Sequence, residues 1–308
     1  MCEVSVIIPT ANRQERLGAL VELLGEQLAE SSEVVVVDQS GEPWRGNQGV
    51  ARGHAPIRCR YYWRPDISGL TSAKNFGVAC SCGDVIVFID DDVRPQEDFI
   101  GKLRRFLDDN PEFGGVCGVE VKQLNSRWRN MIAECFRGGP FRDPRSYINQ
   151  NYKRYCGTVV ATRLMSGGLT AYRRQVFRSY SFDEGLIGYC LGEDVEFSHR
   201  VADKWKIGIH TGALAEHQEA EEGRYNTKEK FLSKVAGPVY LFRRLYRSEG
   251  YSYAWLVWYM VGVALEAIFS SAKNFDLAPI AGYLAGVRCV AMGFRGCPFI
   301  DATRDMSV

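Results

Sequence analysis

The sequence predicts an α/β domain on a mostly parallel sheet flanked by helices, followed by a helical extension at the carboxyl end. Three observations predict it. Short β-branched runs alternate with stretches of helical spacing through the first two thirds of the chain. Several of those runs are apolar throughout, which suits strands covered on both faces. The last third changes to a basic segment beside long uncharged ones.

Val4-Ser5-Val6-Ile7-Ile8 opens the series and ends at Pro9-Thr10, and Leu17, Leu20, Leu24 and Leu28 then recur at helical spacing. Val34 to Val37 is a continuous apolar strand that stops at Asp38-Gln39-Ser40-Gly41. A third strand is expected over Ile57 to Trp63, a helix over Leu70 to Cys80, and a buried strand from Asp84 to Ile89 that ends in Asp90-Asp91-Asp92. Pro95 stands where a first helical turn tolerates proline, so a helix is expected from there through Ile100, Leu103 and Leu107. A short strand is expected after Ser166-Gly167-Gly168 and another at Ile207-Gly208-Ile209-His210. Ligands of such sheets lie beyond the carboxyl ends of the strands, where Thr10, Asp38 and the three aspartates fall.

The chain has 308 residues, 46% hydrophobic and 24% charged, enough for one large domain or two ordinary ones and unlike a disordered chain. Lys+Arg 38 against Asp+Glu 37 leaves a net charge of +1, so no global field draws nucleic acid, and an anionic ligand must be met by a local site. Ten scattered cysteines, with Cys80-Ser81-Cys82 the closest pair, fit buried thiols in a reducing compartment better than disulfides or zinc. Met1-Cys2-Glu3-Val4 runs straight into a strand pattern, so a cleaved signal is not expected.

Three features point to chemistry. Asp90-Asp91-Asp92 places adjacent carboxylates that repel one another and are best tolerated beside a hard cation. Gly192-Glu193-Asp194 opens a helical segment; acidic residues complement a helix start by themselves, but the Gly167-Gly168 pair upstream suggests close approach of backbone to a ligand. His217 follows a strand-like segment and can complete a carboxylate-rich metal site, whereas His54, His199 and His210 are expected to be structural. Asp38 alone is equally explained as a helix cap.

In order, Val6-Ile7-Ile8-Pro9-Thr10 with Asn12-Arg13, Val36-Val37-Asp38, Gly69-Leu70-Thr71-Ser72-Ala73-Lys74-Asn75 with Gly77, Phe88 to Asp92, Gly167-Gly168 and Gly192-Glu193-Asp194 resemble family 2 glycosyltransferases of the GT-A fold over about residues 4 to 220. That resemblance implies a nucleoside-diphosphate sugar donor held by Pro9, Thr10, Arg13, Asp38, Lys74, Asn75, Asp90 and Asp91. Lys74 stands where the family often has arginine, which keeps the cation and loses bidentate geometry. It further implies a divalent metal, Mg2+ or Mn2+, on Asp90, Asp92 and His217. Asp194 is implied as the base of an inverting transfer, with Glu193, Gly167 and Gly168 on the acceptor side. The acceptor would be a saccharide or a lipid-linked sugar, in assembly of a cell-surface polysaccharide or glycolipid.

Residues 1–222 are thus expected to form the catalytic domain and 223–308 a basic and apolar helical region. Asn226-Thr227-Lys228-Glu229 reads as a capping box. Tyr251 to Leu265 and Leu277 to Val287 carry no charge, but neither reaches the ~18–20 uncharged residues of a membrane span. Basic helices beside them suit peripheral contact with the inner face of a cell membrane; helices that cover the catalytic domain and a homo-oligomer interface stay open. The segment Lys122 to Thr158, with Trp128, Phe136 and Phe141, is left between an acceptor site and surface packing. Two other readings stay open, an inactive glycan- or nucleotide-binding scaffold and a sugar-nucleotide nucleotidyltransferase. The second lacks a Gly-rich basic loop after the first strand, and a nicotinamide oxidoreductase lacks its glycine fingerprint there.

Overall fold

The computed structural model describes residues 3–46, 58–121, 135–187, 191–217 and 226–301. Those residues form two compact units. The first is drawn from Met1–Lys122, Pro144–Asp183 and Glu193–Glu219, and the second from Gln123–Asp143, Glu184–Gly192 and Ala220–Val308. Two segments upstream of residue 222 therefore group with the C-terminal helices. His54 and Trp128, singled out above, lie outside the described residues.

The first unit is built on β1 (Val4–Thr10), α1 (Gln14–Gln27), β2 (Glu33–Asp38), β3 (Arg58–Trp63), α2 (Leu70–Cys80), β4 (Val85–Ile89), β5 (Val93–Pro95), α3 (Phe99–Asp109) and β6 (Phe113–Val121). It continues with α4 (Pro144–Asn151), β7 (Val159–Thr162), β8 (Leu169–Arg173), α5 (Glu193–Val201) and β9 (Lys206–His217). The sheet order is β3-β2-β1-β4-β8-β6-β9-β5, with β7 also on β9. β3, β2, β1 and β4 run parallel, and so do β6 and β9, whereas β8 is antiparallel to both its neighbours.

Alternation of side chains across the sheet divides the core in two. Val4, Val6 and Ile8 face α1 and α3 through Leu17, Leu20, Leu24, Phe99 and Leu103. Ile7, Val35, Val37 and Phe88 face the opposite way, onto Phe182, Phe197 and Val201. With both faces covered, β1, β2 and β4 are buried along their whole length.

Three expectations are corrected. Pro95 opens no helix: Val93–Pro95 pairs with the edge of β9, a place where a missing N–H costs nothing, and α3 starts at Phe99 after Asp98 turns through φ 58°. The strand expected at Ile207 runs on to His217, which is its last residue and lies opposite Val93. The described thiols are free, but Cys82, Cys135 and Cys156 are exposed rather than buried.

The second unit contains α6 (Thr227–Leu241), α7 (Tyr253–Asn274) and α8 (Ala278–Ala291). The capping box forms, with Asn226 Oδ1 accepting from the Glu229 N–H at 2.9 Å. Glu266, which interrupts the uncharged run, lies inside α7 and pairs with Lys234 of α6, and the helix is 22 residues long in all. Gly282 and Gly286 let α8 lie directly on α6; a Cβ at Gly282 would stand 2.2 Å from the Lys228 carbonyl oxygen.

At the amino end of β2 the fully buried Glu33 accepts from Ser5 Oγ and the Cys82 N–H, each at 2.7 Å, and pairs with Arg60. Glu33→Ala removes the buried carboxylate that accepts from Ser5 and Cys82 and pairs with Arg60. We expect a loss of ~2–4 kcal/mol in urea unfolding, with no change in ligand binding, because this end of the sheet is opposite the site.

Candidate active site

Register places Thr10, Asp38 and Trp63 side by side at the carboxyl ends of β1, β2 and β3. Parallel partners point to the same face. Asp38 is buried, its Oδ2 accepting from Tyr61 Oη at 2.6 Å and its Oδ1 from the Ser40 N–H at 2.9 Å. Ser40 in turn takes the Trp63 indole N–H on its carbonyl at 2.8 Å and the Asn12 N–H on its hydroxyl at 2.6 Å. The Trp63 ring, 42% exposed, is thereby fixed at the mouth of this end.

One strand spacing further, the three aspartates after β4 have three different surroundings. Asp91 is an internal brace: Thr10 Oγ1 donates to one of its oxygens at 2.6 Å and Arg13 to the other at 2.7 Å. Arg13 reaches Asp92 as well, at 3.5 Å. Asp92 meets His217 Nε2 at 3.0 Å, and His217 Nδ1 meets Glu120 at 2.9 Å. Hydrogen bonds that the ring donates to Asp92 and Glu120 favour its protonated form and push its pKa up to about 10. Burial raises the Asp92 carboxyl, but the bond to His217 and the charges of His217 and Arg13 outweigh it and leave it below the usual range. Asp90 goes the other way: burial, with Asp92 and Asp91 adding, raises it against the pull of Lys74.

Lys74 is the centre of the remaining group. It is fully buried on α2, with Nζ donating to Glu193 Oε1 at 2.8 Å and to the Gly167 carbonyl at 3.0 Å. Its ammonium also lies 5.2 Å from the Phe182 ring centroid and 5.4 Å from that of Phe88. Burial disfavours that charge, yet Glu193, Asp90 and Asp194 more than offset it, so the lysine stays protonated. Burial pushes the Glu193 carboxyl up to about 7. The other Glu193 oxygen, Oε2, is buried and has no hydrogen-bond partner among the described residues.

The glycine pair makes room for these carboxylates. A Cβ on Gly167 would stand 2.2 Å from Glu193 Oε1, and one on Gly168 would stand 2.0 Å from Asp90 Oδ2. Asn75 spends its side-chain amide on the backbone of Phe182, at 2.9 and 3.0 Å, which fixes that ring beside Lys74. Pro9 is buried within β1. Asp194 sits in the first turn of α5, its Oδ1 taking the Val195 N–H at 2.8 Å and its Oδ2 paired with Arg145.

Arg145, on α4, and Glu120, near the end of β6, are the members that the sequence motifs did not reveal. Arg145 also donates to the Met165 carbonyl at 2.8 Å, so its guanidinium bridges α4, the segment before the glycine pair, and α5. His199 and His210 are structural: His199 is buried beside Arg163, and burial lowers the basicity of His210.

Among the described residues no three His, Cys, Asp or Glu side chains are gathered as a ready metal cage. The donor set nevertheless suits a hard divalent cation. Asp90 and Asp92 supply carboxylate oxygens, the missing side chain at Gly168 leaves room for the Asp90 carboxylate, and Glu120 behind His217 would orient the imidazole as a ligand once a cation takes the place of the Nε2 proton.

The sequence matches glycosyl transferase family 2 over residues 5–181. An uncharacterized glycosyltransferase of Haemophilus influenzae is 29% identical over 114 residues, which make up 37% of this chain and 37% of that relative's length. The chain is similar to the mannosyltransferase PcManGT of Pyrobaculum calidifontis, solved with GDP-Man and Mn2+, at TM-score 0.57 and 18% identity over 96% of this chain and 83% of that one. It is also similar to S. aureus TarS 1–349, solved with UDP-GlcNAc, at TM-score 0.52 and 16% identity over 94% and 92%. At such identities the likeness is one of fold, the GT-A fold.

Lys74→Met keeps the bulk and removes the charge that Glu193 and Asp90 face. Urea unfolding at neutral pH is expected to show a loss of ~3–5 kcal/mol; an unchanged midpoint would remove the ammonium from its central place.

Proposed function

The chain belongs to glycosyl transferase family 2, and on that premise we propose that it is a metal-dependent, inverting glycosyltransferase that moves a sugar from a nucleoside-diphosphate donor to a hydroxyl of a saccharide or glycolipid. One observation carries this reading. The buried Lys74 ammonium donates to Glu193 at 2.8 Å, and Asp194 beside it and Asp90, more than 100 residues away in sequence, lie near enough for their charges to act on it. A donor site and a base need to be held in fixed register for an in-line displacement, and this convergence holds them so.

The nucleoside lies across the ends of β1, β2 and β3, with the base toward Asp38 and Trp63 and the diphosphate toward Asp90 and Asp92. Mg2+ or Mn2+, held by Asp90, Asp92 and His217, would neutralise charge on the diphosphate. Asp194 takes the proton of the acceptor hydroxyl as its oxygen bonds to the anomeric carbon from the face opposite the diphosphate. The bond from that carbon to the phosphate oxygen breaks, and its electron pair leaves with the nucleoside diphosphate. Glu193 Oε2, without a partner among the described residues, accepts from another acceptor hydroxyl. Arg145 is a positioning residue: it pairs with the Asp194 carboxylate and orients it. A product built this way suits cell-surface polysaccharide or glycolipid assembly.

Asp194→Asn keeps the shape and removes the base. Turnover is expected to fall ~10²-fold or more with donor affinity unchanged within a few-fold, measured by sugar transfer and by calorimetric donor titration. Undiminished turnover would assign the base elsewhere, and donor binding without turnover in the unaltered chain would favour the inactive scaffold.

A further inference from the structure

Two of the cysteines stand near the end of α8, and the chain between them is built to reverse. Met292-Gly293-Phe294-Arg295-Gly296-Cys297-Pro298 sets two glycines and a proline just past the helix, a composition that stops a helix and turns the backbone. α8 ends at Ala291, and Gly293, Phe294 and Gly296 then take φ of 62°, 64° and 67°. That region is costly for a residue with a side chain. Phe294 is held in it by its ring, which is buried, packs on Tyr240 with centroids 5.8 Å apart and lies 5.4 Å from the Arg243 guanidinium.

Backbone bonds close the reversal. The Phe294 N–H donates to the Cys289 carbonyl at 2.9 Å and the Cys297 N–H to the Phe294 carbonyl at 3.0 Å. Cys297 is thereby returned to the end of α8, where its thiol and that of Cys289 share a hydrogen bond. Both thiols are free, and both residues are buried. Burial, with that bond adding, pushes the Cys289 thiol up to about 12. A thiol held protonated is a poor nucleophile, so the sulfur that reacts first is that of Cys297.

The surroundings give a small oxidant a way in and the bond something to hold. Met292, Gly293, Arg295 and Gly296 are exposed, and a side chain at either glycine would meet open space. Beyond Cys297, Ile300 forms an antiparallel bridge with Leu186, flanked by the Ile187 N–H on the Phe299 carbonyl at 3.0 Å and the Asp301 N–H on the Gly185 carbonyl at 2.8 Å. A bond between the two sulfurs ties the end of α8 to this bridged segment.

We propose that Cys289 and Cys297 are an oxidisable dithiol, which peroxide converts into a disulfide that staples α8 to the Phe299–Asp301 segment. The Cys297 sulfur bonds to one peroxide oxygen as the O–O bond breaks; it becomes a sulfenic acid, and the other oxygen leaves with the thiol proton as water. The Cys289 sulfur then bonds to the Cys297 sulfur, the S–O bond breaks, and that oxygen leaves with the Cys289 proton as a second water. Two thiols have lost one electron each, and one peroxide has been reduced to two waters. The pair lies wholly in the second unit, so the proposal holds whichever reaction the first unit catalyses.

The test treats the full chain with hydrogen peroxide until the exposed Cys156 is oxidised, blocks remaining thiols with N-ethylmaleimide during denaturation, and digests with trypsin without reductant. Cleavage after Arg288, Arg295 and Arg304 puts the two cysteines on separate peptides, 289–295 and 296–304. Mass spectrometry is expected to find those peptides joined, two hydrogens lighter than their sum, and separated by dithiothreitol. The melting temperature of the oxidised chain is expected to rise on the order of a few °C, to fall back in dithiothreitol, and not to rise in Cys289→Ser. Recovery of both peptides unjoined, whether blocked by maleimide or carried to sulfinic or sulfonic acid, would overturn the dithiol. Joined peptides with an unchanged melting temperature would overturn the staple.

Discussion

One buried ammonium organises the first unit. An isolated lysine charge cannot be taken out of water without a counter-charge, because the desolvation penalty is several kcal/mol. Lys74 meets that requirement by drawing Glu193 and the Gly167 carbonyl to 2.8 and 3.0 Å. The start of α5 is thereby fixed against α2, and Asp194 with it. Asp90 is near enough for the same charge to act on it, so the end of β4 belongs to the same electrostatic group. The glycines at 167 and 168 follow from this, since side chains there would occupy the positions of the Glu193 and Asp90 oxygens.

A second chain of contacts, Thr10 to Asp91 to Arg13 to Asp92 to His217 to Glu120, fixes the other two aspartates. The triplet is therefore three roles in three neighbours. Asp91 braces β1 against the loop, Asp92 is paired with the His217 ring, and Asp90 is buried in the field of the Lys74 ammonium. A parallel sheet makes this economical, because its strand ends bring side chains far apart in sequence to one edge.

Much of this was legible in the residues. β1, β2 and β4 are buried on both faces, so their apolar runs are unbroken, and the polar residues that end them mark the site edge. What was not legible depends on contacts distant in sequence. Val93–Pro95 is a strand only because β9 pairs with it. β6 reads poorly as a strand because it contains Gly114, Gly115 and Gly118, yet those glycines are required by the rings of Trp205, Tyr172 and Phe99 packed on them. Arg145 is one arginine among several in a segment without periodicity, and nothing in its neighbours signals that it meets Asp194. The motif alone suggested that Lys74 faces phosphate; the fold turns its ammonium inward, to carboxylates.

The central claim is that the ends of β1 to β4 form a metal-assisted site for a nucleoside-diphosphate sugar. Calorimetric titration of the chain with UDP-, GDP-, dTDP- and CDP-sugars, each in Mn2+ and again in EDTA, tests it most directly. Sugars of one nucleotide are expected to bind in Mn2+, with the affinity lost in EDTA. Folded protein that binds none of them in Mn2+, or binds them equally in EDTA, would contradict it.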